Sequence, residues 1–525
     1  MIIGSGATLP ARPRPNQSFP PALPGPEIGP GNRFSPPPET GRMRPMWNGS
    51  PTRAVAAALA LAAAASGAAA GEALPLTLED AVARALEHNR QLVKGALDLQ
   101  GYRLATERAR ETVRGFRVAP TGSVGAGADS ETARAGLAAE VTGPYGTRVA
   151  VAALAQQIEV DDAPANRRGE IRLEVEQPLF RNFGPLVRNE PLVAANETLL
   201  AARRTWERDR SALAVSVAEL FENLIYLRHQ IAGDEAFADR LERLYALADA
   251  RERQGRATRT EVLRMDLQRG EAALRLETER AQLAVQFQEF AELLGLPLET
   301  AFRLAPPDLL DLGESDAERA LAVALDQRPD VAQALQDVAT ADRQALLARR
   351  NLLPDLRLTA RQSTFGEGED WSDAGRFDQD DWFVGLVADV DLNLRGARLD
   401  VARAEIDVEA RRQVADIVRN RLALEVNSAW SAYRRTRAAL ELAARNRELA
   451  ANRAELARAL FDAGRASADS VSDAEADGRA AELAELAARR DASVAGYRLL
   501  HALGTLVPAP REILREETKH AKTYD

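Results

Sequence analysis

The chain has 525 residues, with 68 Lys and Arg against 78 Asp and Glu for a net charge of −10, and it has no cysteine. The missing thiols exclude disulfides, thiol catalysis, thiolate metal sites and a lipid-modified amino-terminal cysteine, and the acidic balance argues against nucleic acid as a partner. A length prior of three or four domains gives way to two repeats of one architecture, because the chain is internally duplicated.

Residues 1–42 hold eleven of the 27 prolines and show no apolar period, so they are expected to be disordered. Met43-Arg44-Pro45-Met46, then Arg53, the charge-free run Ala54–Ala65 and the small residues Ala68-Ala69-Ala70 before Gly71 follow the order of a secretory signal. The expectation is a signal over 43–70, cut between Ala70 and Gly71, with translation starting at Met43 or Met46. Its apolar run falls short of the ~20 residues of a membrane-spanning helix. Removing residues 1–70 takes away six basic and two acidic residues, which leaves 62 against 76 and a net charge of −14.

The first repeat spans 71–296. Thr77 caps a helix with Asp80 three residues on, Leu76 can staple onto Ala81, and the helix is expected to run to about Arg114. Residues 119–180 trade Leu for Gly and carry turn signals at Gly143-Pro144-Tyr145-Gly146 and Asp161–Gly169, with alternating runs between them, which predicts strands. The clearest is Glu170–Gln177, with Ile171, Leu173 and Val175 on one face and Arg172, Glu174 and Glu176 on the other; Thr147–Ile158 is fainter. A proline-free helical hairpin follows over 196–295. Its first arm, Asn196–Arg253, would be ~87 Å long at ~1.5 Å per residue. Gly255 supplies the turn at its tip, and Thr258-x-x-Glu261 is a capping box for the second arm.

Residues 297–314, rich in Pro and Leu, lead to the second repeat at 315–506, where Ser315-x-x-Glu318 caps a helix and Pro329 suits the first turn of another. Two strands are predicted between about 354 and 393. Leu356, Leu358 and Ala360 share a face in the first, and Trp382, Val384, Leu386, Ala388 and Val390 in the second. The hairpin then recurs over 405–504 around Gly464, with Ser467 and Ser470 opening its second arm, and 507–525 is a polar tail. A single offset of 209 matches Phe221 with Trp430, Thr258 with Ser467, Asp266 with Glu475 and Gly295 with Gly504, so the arms have equal lengths in both copies. Heptad seams mark the helices: Leu220, Leu224, Leu227 and Ile231 in one arm, Leu263, Leu267, Gly270 and Leu274 in the next, and Leu442, Leu449 and Leu456 in the second copy.

Strands set between helices this long have nothing to cover their apolar face, and a spanning barrel needs at least eight strands with no open edge. With two strands per repeat, one chain supplies four, so three chains would share a barrel of twelve. The opening helices align at an offset of 239 (Ala81 with Ala320), which leaves about 30 additional residues in the first repeat's strand region. Whether that extra hairpin joins the barrel stays open at the level of sequence.

Several stretches resemble TolC-like outer-membrane efflux proteins, the outer membrane factors: Leu76-Thr77-Leu78-Glu79-Asp80-Ala81 with Ala85-Leu86-Glu87-His88-Asn89, then Gln177-Pro178-Leu179-Phe180-Arg181-Asn182-Phe183-Gly184 at the strand-to-helix junction, then Arg328-Pro329-Asp330. The resemblance covers about 74–506. It implies a mostly α fold with a membrane β-barrel portion, in which a duplicated helix, strand pair and long hairpin assemble into a trimeric α-barrel and a shared 12-stranded β-barrel. It further implies a passive outer-membrane exit duct of a tripartite efflux pump or type I secretion system, with no enzymatic activity and no cofactor. The implied partners are two further copies as a homotrimer, a periplasmic adaptor (membrane fusion) protein, an inner-membrane pump or ABC transporter, and outer-membrane lipid. The rival reading, a periplasmic coiled-coil adaptor or scaffold outside any membrane, explains the helices and leaves the alternating strands without a purpose.

No catalytic or metal centre is nominated, since His88, His229, His501 and His520 are scattered and lack partners at ligand spacing. The hairpin tips are the candidate site, because in the family they close the tunnel and dock adaptors. The resemblance makes Gly255, Thr258, Glu261, Gly464 and Ser467 docking candidates. It sets Asp473 on the second gate aspartate and Ser470 on the first, with Asp469 beside it, while Arg465 stands one residue before the gate arginine's place at Ala466. Three copies of Asp473 around a narrow lumen would bind cations and repel anions; a plainer role is an exposed acid favoured near a helix start by the dipole.

Overall fold

The computed structural model describes residues 74–127, 130–160, 164–254, 258–313, 317–463, 465 and 468–514. The 1–42 region, the signal with its Ala70–Gly71 cut, Ser315, Gly255, Gly464 and Ser467 lie outside the described residues.

The first repeat opens with β1 (Leu74–Leu76), α1 (Leu78–His88) and α2 (Arg90–Arg114). Thr77 caps α1 as expected, its hydroxyl accepting the Asp80 N–H at 3.2 Å. The single helix expected up to Arg114 is in fact two. Asn89 leaves helical geometry, its side-chain oxygen accepts the N–H groups of Gln91 and Leu92, and its amide donates to the Leu293 carbonyl at 3.0 Å, so a new helix starts there. The carbonyl it meets belongs to the far end of the hairpin, which stops at Gly295 with φ of +68°. A Cβ on Gly295 would strike the His88 carbonyl, so glycine is required there both for its backbone and for the close approach.

Four strands follow: β2 (Arg117–Ala126), β3 (Ser130–Thr142), β4 (Arg148–Val160) and β5 (Asn166–Pro178). The short α3 (Pro185–Arg188) leads into α4 (Glu190–Arg253) and α5 (Arg259–Leu293), the two arms of the hairpin, with 64 and 35 residues. The second repeat gives β6 (Phe302–Leu304), α6 (Ala317–Gln327), α7 (Pro329–Arg350), β7 (Asp355–Gly368), the short α8 (Trp371–Ala374), β8 (Gln379–Asp389), α9 (Arg395–Asp462) and α10 (Ala468–Ala502), and α11 (Arg511–Leu514) closes the described chain. The duplication survives at three of the hairpin's four element ends, while the first arms, expected to be equal, have 64 and 68 residues because the second copy's helix starts earlier, at Arg395. Arg253 and Asp462, Arg259 and Ala468, and Leu293 and Ala502 are all 209 apart. Pro329 is the first residue of α7, and Gly504, with φ of +71°, lies against the Gln327 carbonyl as Gly295 lies against His88.

β1 and β6 pair in parallel and tie the repeats together. Around them Leu78, Val82, Val217, Phe221, Leu224, Phe290 and Leu294 form the largest apolar core, with Phe290 set edge-on to Phe302 at 5.3 Å. The other six strands form one antiparallel sheet in the order β2-β3-β4-β5-β7-β8. One chain therefore supplies six strands, four of them from the first repeat, where two per repeat would make four. The surplus is β2 and β3, which occupy the extra residues of the first repeat and continue the sheet at its edge.

Candidate functional site

Alternate residues of the strands gather into two faces, and the register decides which share one. On one face stand Val118 and Val124 of β2, Leu137 and Val141 of β3, Val151 of β4, Ile171 and Leu173 of β5, Leu358 of β7, and Trp382, Val384 and Leu386 of β8. All are between 41 and 90 % exposed. A continuous apolar face of this extent is not stable in water. Its run from Ala133 to Val141 on β3, nine residues tilted by about 40°, spans about 23 Å, the height of the apolar band of a transmembrane barrel. Aromatic side chains flank it: Phe116, Tyr145, Phe180 and Phe183 at the helix end, Trp371 and Trp382 toward the other, all exposed. Such girdles mark the two membrane interfaces.

The opposite face is polar. Arg117 of β2 lies 3.9 Å from Glu140 of β3, which lies 3.8 Å from Arg148 of β4; Arg148 reaches Glu174 and Glu176 of β5 at 3.3 and 3.0 Å, and Glu176 holds Arg357 of β7 at 2.8 Å. Charges thus alternate across five strands in a belt. Isolated exposed pairs contribute little, but a continuous charged belt suits a wall facing water.

The joint between sheet and helices explains the Gln177–Gly184 stretch. Gly146 (φ +88°) and Gly184 (φ +95°) let the chain fold back tightly, the Gly184 N–H donates to the Tyr145 carbonyl at 3.2 Å, and Tyr145 stacks on Phe183 at 5.8 Å. Arginines fasten the helices to this joint. Arg181 donates to the Leu353 carbonyl, Arg350 to that of Phe183, and Arg188 to those of Thr112 and Val113 at the end of α2. Below it Arg343 of α7 binds Glu190 and Glu197 of α4 in paired hydrogen bonds, which hold its guanidinium above the ordinary range against a smaller opposing effect of burial. In the second repeat Arg328 spans Asp330 and Glu425 of α9; burial alone would lower its pKa, and the two carboxylates more than offset it.

The long helices lie in the lateral order α5-α4-α10-α9, with α2 against α4 and α7 between α4 and α9. The flanks of the chain are therefore α9 on one side and α2 with α5 on the other. The seam of α4 is buried in the chain, with Leu224, Leu227, Ile231 and Leu241 among its residues. Those of the flanks are open: Leu424, Leu442, Leu449 and Leu456 on α9, Leu263, Leu267 and Leu274 on α5, and Leu97 and Leu104 on α2 are 55 to 71 % exposed. Leu263, Leu267, Gly270 and Leu274 line a groove of about 470 Å³. A heptad seam is made to receive a partner helix.

At the tips, Thr258 directly precedes α5 and its carbonyl accepts the Val262 N–H; it is exposed, and Glu261 lies in the first turn. In the second tip Arg465 is exposed with its N–H bonded to the Leu460 carbonyl, Asp469 and Ser470 fall in the first turn of α10, and Asp473 is exposed in the next. Asp473 has no ion-pair partner among the described residues, whereas the nearby Glu475 pairs with Arg458 at 3.0 Å and Asp477 with Arg453. One polar cluster went unseen in the sequence because it joins three helices. Arg479 of α10 donates to the Gln230 carbonyl at 2.8 Å and stands 3.6 Å from Asp234, while buried Glu279 of α5 accepts from Gln230; burial first, then the Asp234 charge, raises the Glu279 pKa.

Among the described residues no helix is long and apolar enough to cross a membrane, and no group of three His, Cys, Asp or Glu is placed to hold a metal. Residues 320–505 match the family model described as outer membrane efflux protein. That stretch is similar to the outer membrane efflux proteins. No curated protein is similar enough in sequence to match. Solved structures carry the likeness over the first half as well: the outer-membrane channel OprN (18 % identity, TM-score 0.64, covering 82 % of this chain and 91 % of OprN), the Campylobacter jejuni CmeC outer-membrane channel (15 %, 0.65, 85 % and 89 %) and the open state of the Neisseria gonorrhoeae MtrE outer-membrane channel (16 %, 0.60, 82 % and 89 %). The chain thus has the fold of these outer-membrane channels over more than four fifths of its length.

Proposed function

We propose that three copies of this chain close into one passive exit duct, which an inner-membrane pump or a secretion ABC transporter feeds through a periplasmic adaptor docked on the hairpin tips. The supporting observation is the pair of open flanks. A single chain buries the seam of α4 and leaves those of α9 on one side and of α2 and α5 on the other without cover. Opposite flanks with matching apolar seams give a head-to-tail interface, which forms a ring when three copies complete one full turn. The same rotation brings the sheet's two edges to neighbouring copies. A coiled-coil scaffold outside the membrane has no use for the apolar sheet face.

The tips are the part of the ring farthest from the sheet, and there Asp473 from each copy contributes negative charge to the entrance. The test is native mass spectrometry of protein extracted from the outer-membrane fraction, followed by planar-bilayer conductance. A trimer that conducts with cation preference is expected, and Asp473→Ala is expected to weaken that preference. Unaltered selectivity in the variant would remove Asp473 from the gate, and a monomer in that fraction would refute the duct itself.

A further inference from the structure

We infer that β2 and β3 are part of the membrane wall, that β2 of one copy pairs with β8 of the next, and that the duct's barrel therefore has eighteen strands. The inference rests on the trimer proposed above and adds how its sheet closes.

Three observations carry it. β3 pairs with β4 along thirteen residues, Ser130–Val160 through Thr142–Arg148, without a break in register, and the seam is tight: a Cβ on Gly136 would come within 2.6 Å of Leu154 and 2.7 Å of the Ala153 carbonyl. A barrel of twelve would need β4 to meet the neighbouring copy and so would have to break that ladder. The apolar face also runs unbroken into the hairpin, through Leu137 and Val141 to Val118 and Val124. A hairpin lying outside the wall, in periplasm or lumen, would expose these to water. On the other face, the charge belt passes through Glu140 to Arg117 without interruption.

The free edges suit each other. β2 begins with Arg117 at the helix end of the polar face and β8 finishes with Asp389 at the same end of that face, so closure sets opposite charges at neighbouring edges. β2 rises from the helices and β8 descends to them, so the new pair is antiparallel like all others in the sheet. Pro120 cannot donate a hydrogen bond, which costs the closing ladder at most one. With strands about 4.8 Å apart and tilted by about 40°, eighteen strands close at a diameter of about 36 Å, against about 24 Å for twelve. The bore in the membrane is then of porin width, where an aqueous channel stays open among the side chains.

The natural absence of cysteine makes the edge contact directly testable. Thr121→Cys on β2 is combined in turn with Asp381→Cys, Phe383→Cys and Val387→Cys on β8, all on the polar face, and Ala152→Cys on β4 is combined with the same three. After native mass spectrometry has established the trimer, mild oxidation is expected to give covalently linked trimers from a β2–β8 pair and none from the β4 pairs. Linked trimers from β4, or none from any β2 pair in an intact trimer, would overturn the eighteen-stranded closure and leave the trimeric duct standing. A monomer before oxidation would overturn both. Counting strands in an electron-microscopy reconstruction of the unaltered trimer in lipid decides the same question without substitution, eighteen supporting the inference and twelve ending it.

Discussion

Single residues fix the turning points of this chain. Gly295 combines a left-handed backbone with direct approach to the His88 carbonyl, so Gly295→Ala meets both strain and a clash. It is expected to cost about 1–3 kcal/mol, read as a lower melting temperature by tryptophan fluorescence, with Gly504→Ala behaving alike at the duplicated position. Glu222 is a different case, because it is buried and accepts a hydrogen bond from Ser493. Burial raises its pKa, against the hydrogen bond and the charges of Arg489 and Arg490, and its own charge helps burial push Tyr497 to about 12. An acid whose folded pKa exceeds its unfolded value gives stability that is complete below the unfolded pKa and is lost as pH rises through the folded one. The native chain should therefore lose this contribution on going from acid toward neutral pH. Glu222→Gln keeps an acceptor for Ser493 and removes the charge, so at pH 7 it should melt above the native protein, and the two melting temperatures should converge as pH falls. A variant that melts lower at pH 7 would contradict this account.

At the scale of elements, the flank seams are the most exposed apolar features of the helices, and Leu449→Glu puts a charge in the middle of one without touching the chain's own core. The monomer fold should survive, by circular dichroism, while the trimer band in native mass spectrometry falls sharply; an undiminished trimer would place the interface elsewhere. The heptads were legible in sequence because their period depends on the residues alone. Which seams are covered within the chain was not legible, since Leu224 and Leu267 read the same and differ only in what lies beside them. The tip-side ends and the second arms, 35 residues in both copies, were legible through the offset of 209, whereas the differing starts of the first arms and the helix break at Asn89 were not: the Asn89 amide answers to the Leu293 carbonyl, over two hundred residues away. β2 and β3 were faint for a further reason. Their apolar face is built largely of Ala, Gly and Pro, so the alternation that signals a strand has little contrast.

For the whole molecule, the two repeats are alike below the membrane and unlike within it. The hairpins superpose in sequence from arm to arm, but the first repeat puts four strands into the wall and the second puts two. Near the tips a ring of three copies would present six similar hairpins, and in the membrane only threefold symmetry remains. Of the site, sequence could name the tip residues but not their relation: Arg465 lies in the turn between the arms and Asp473 in the second arm, and the ion pairs there run between Arg458 and Glu475 and between Arg453 and Asp477. Those pairs join residues on opposite arms, a proximity set by how the hairpin closes.

The arginine-fastened joint gives α4 a further property. A helix of 64 residues is about 96 Å long, so it works as a lever whose fulcrum is the Gly184 bend. Five degrees of tilt at that end, small enough to be shared among the hydrogen bonds of Arg188 and Arg343, would sweep the far end through an arc of about 8 Å. An iris of such levers could dilate by more than a hydrated ion's width while its hinge scarcely deforms.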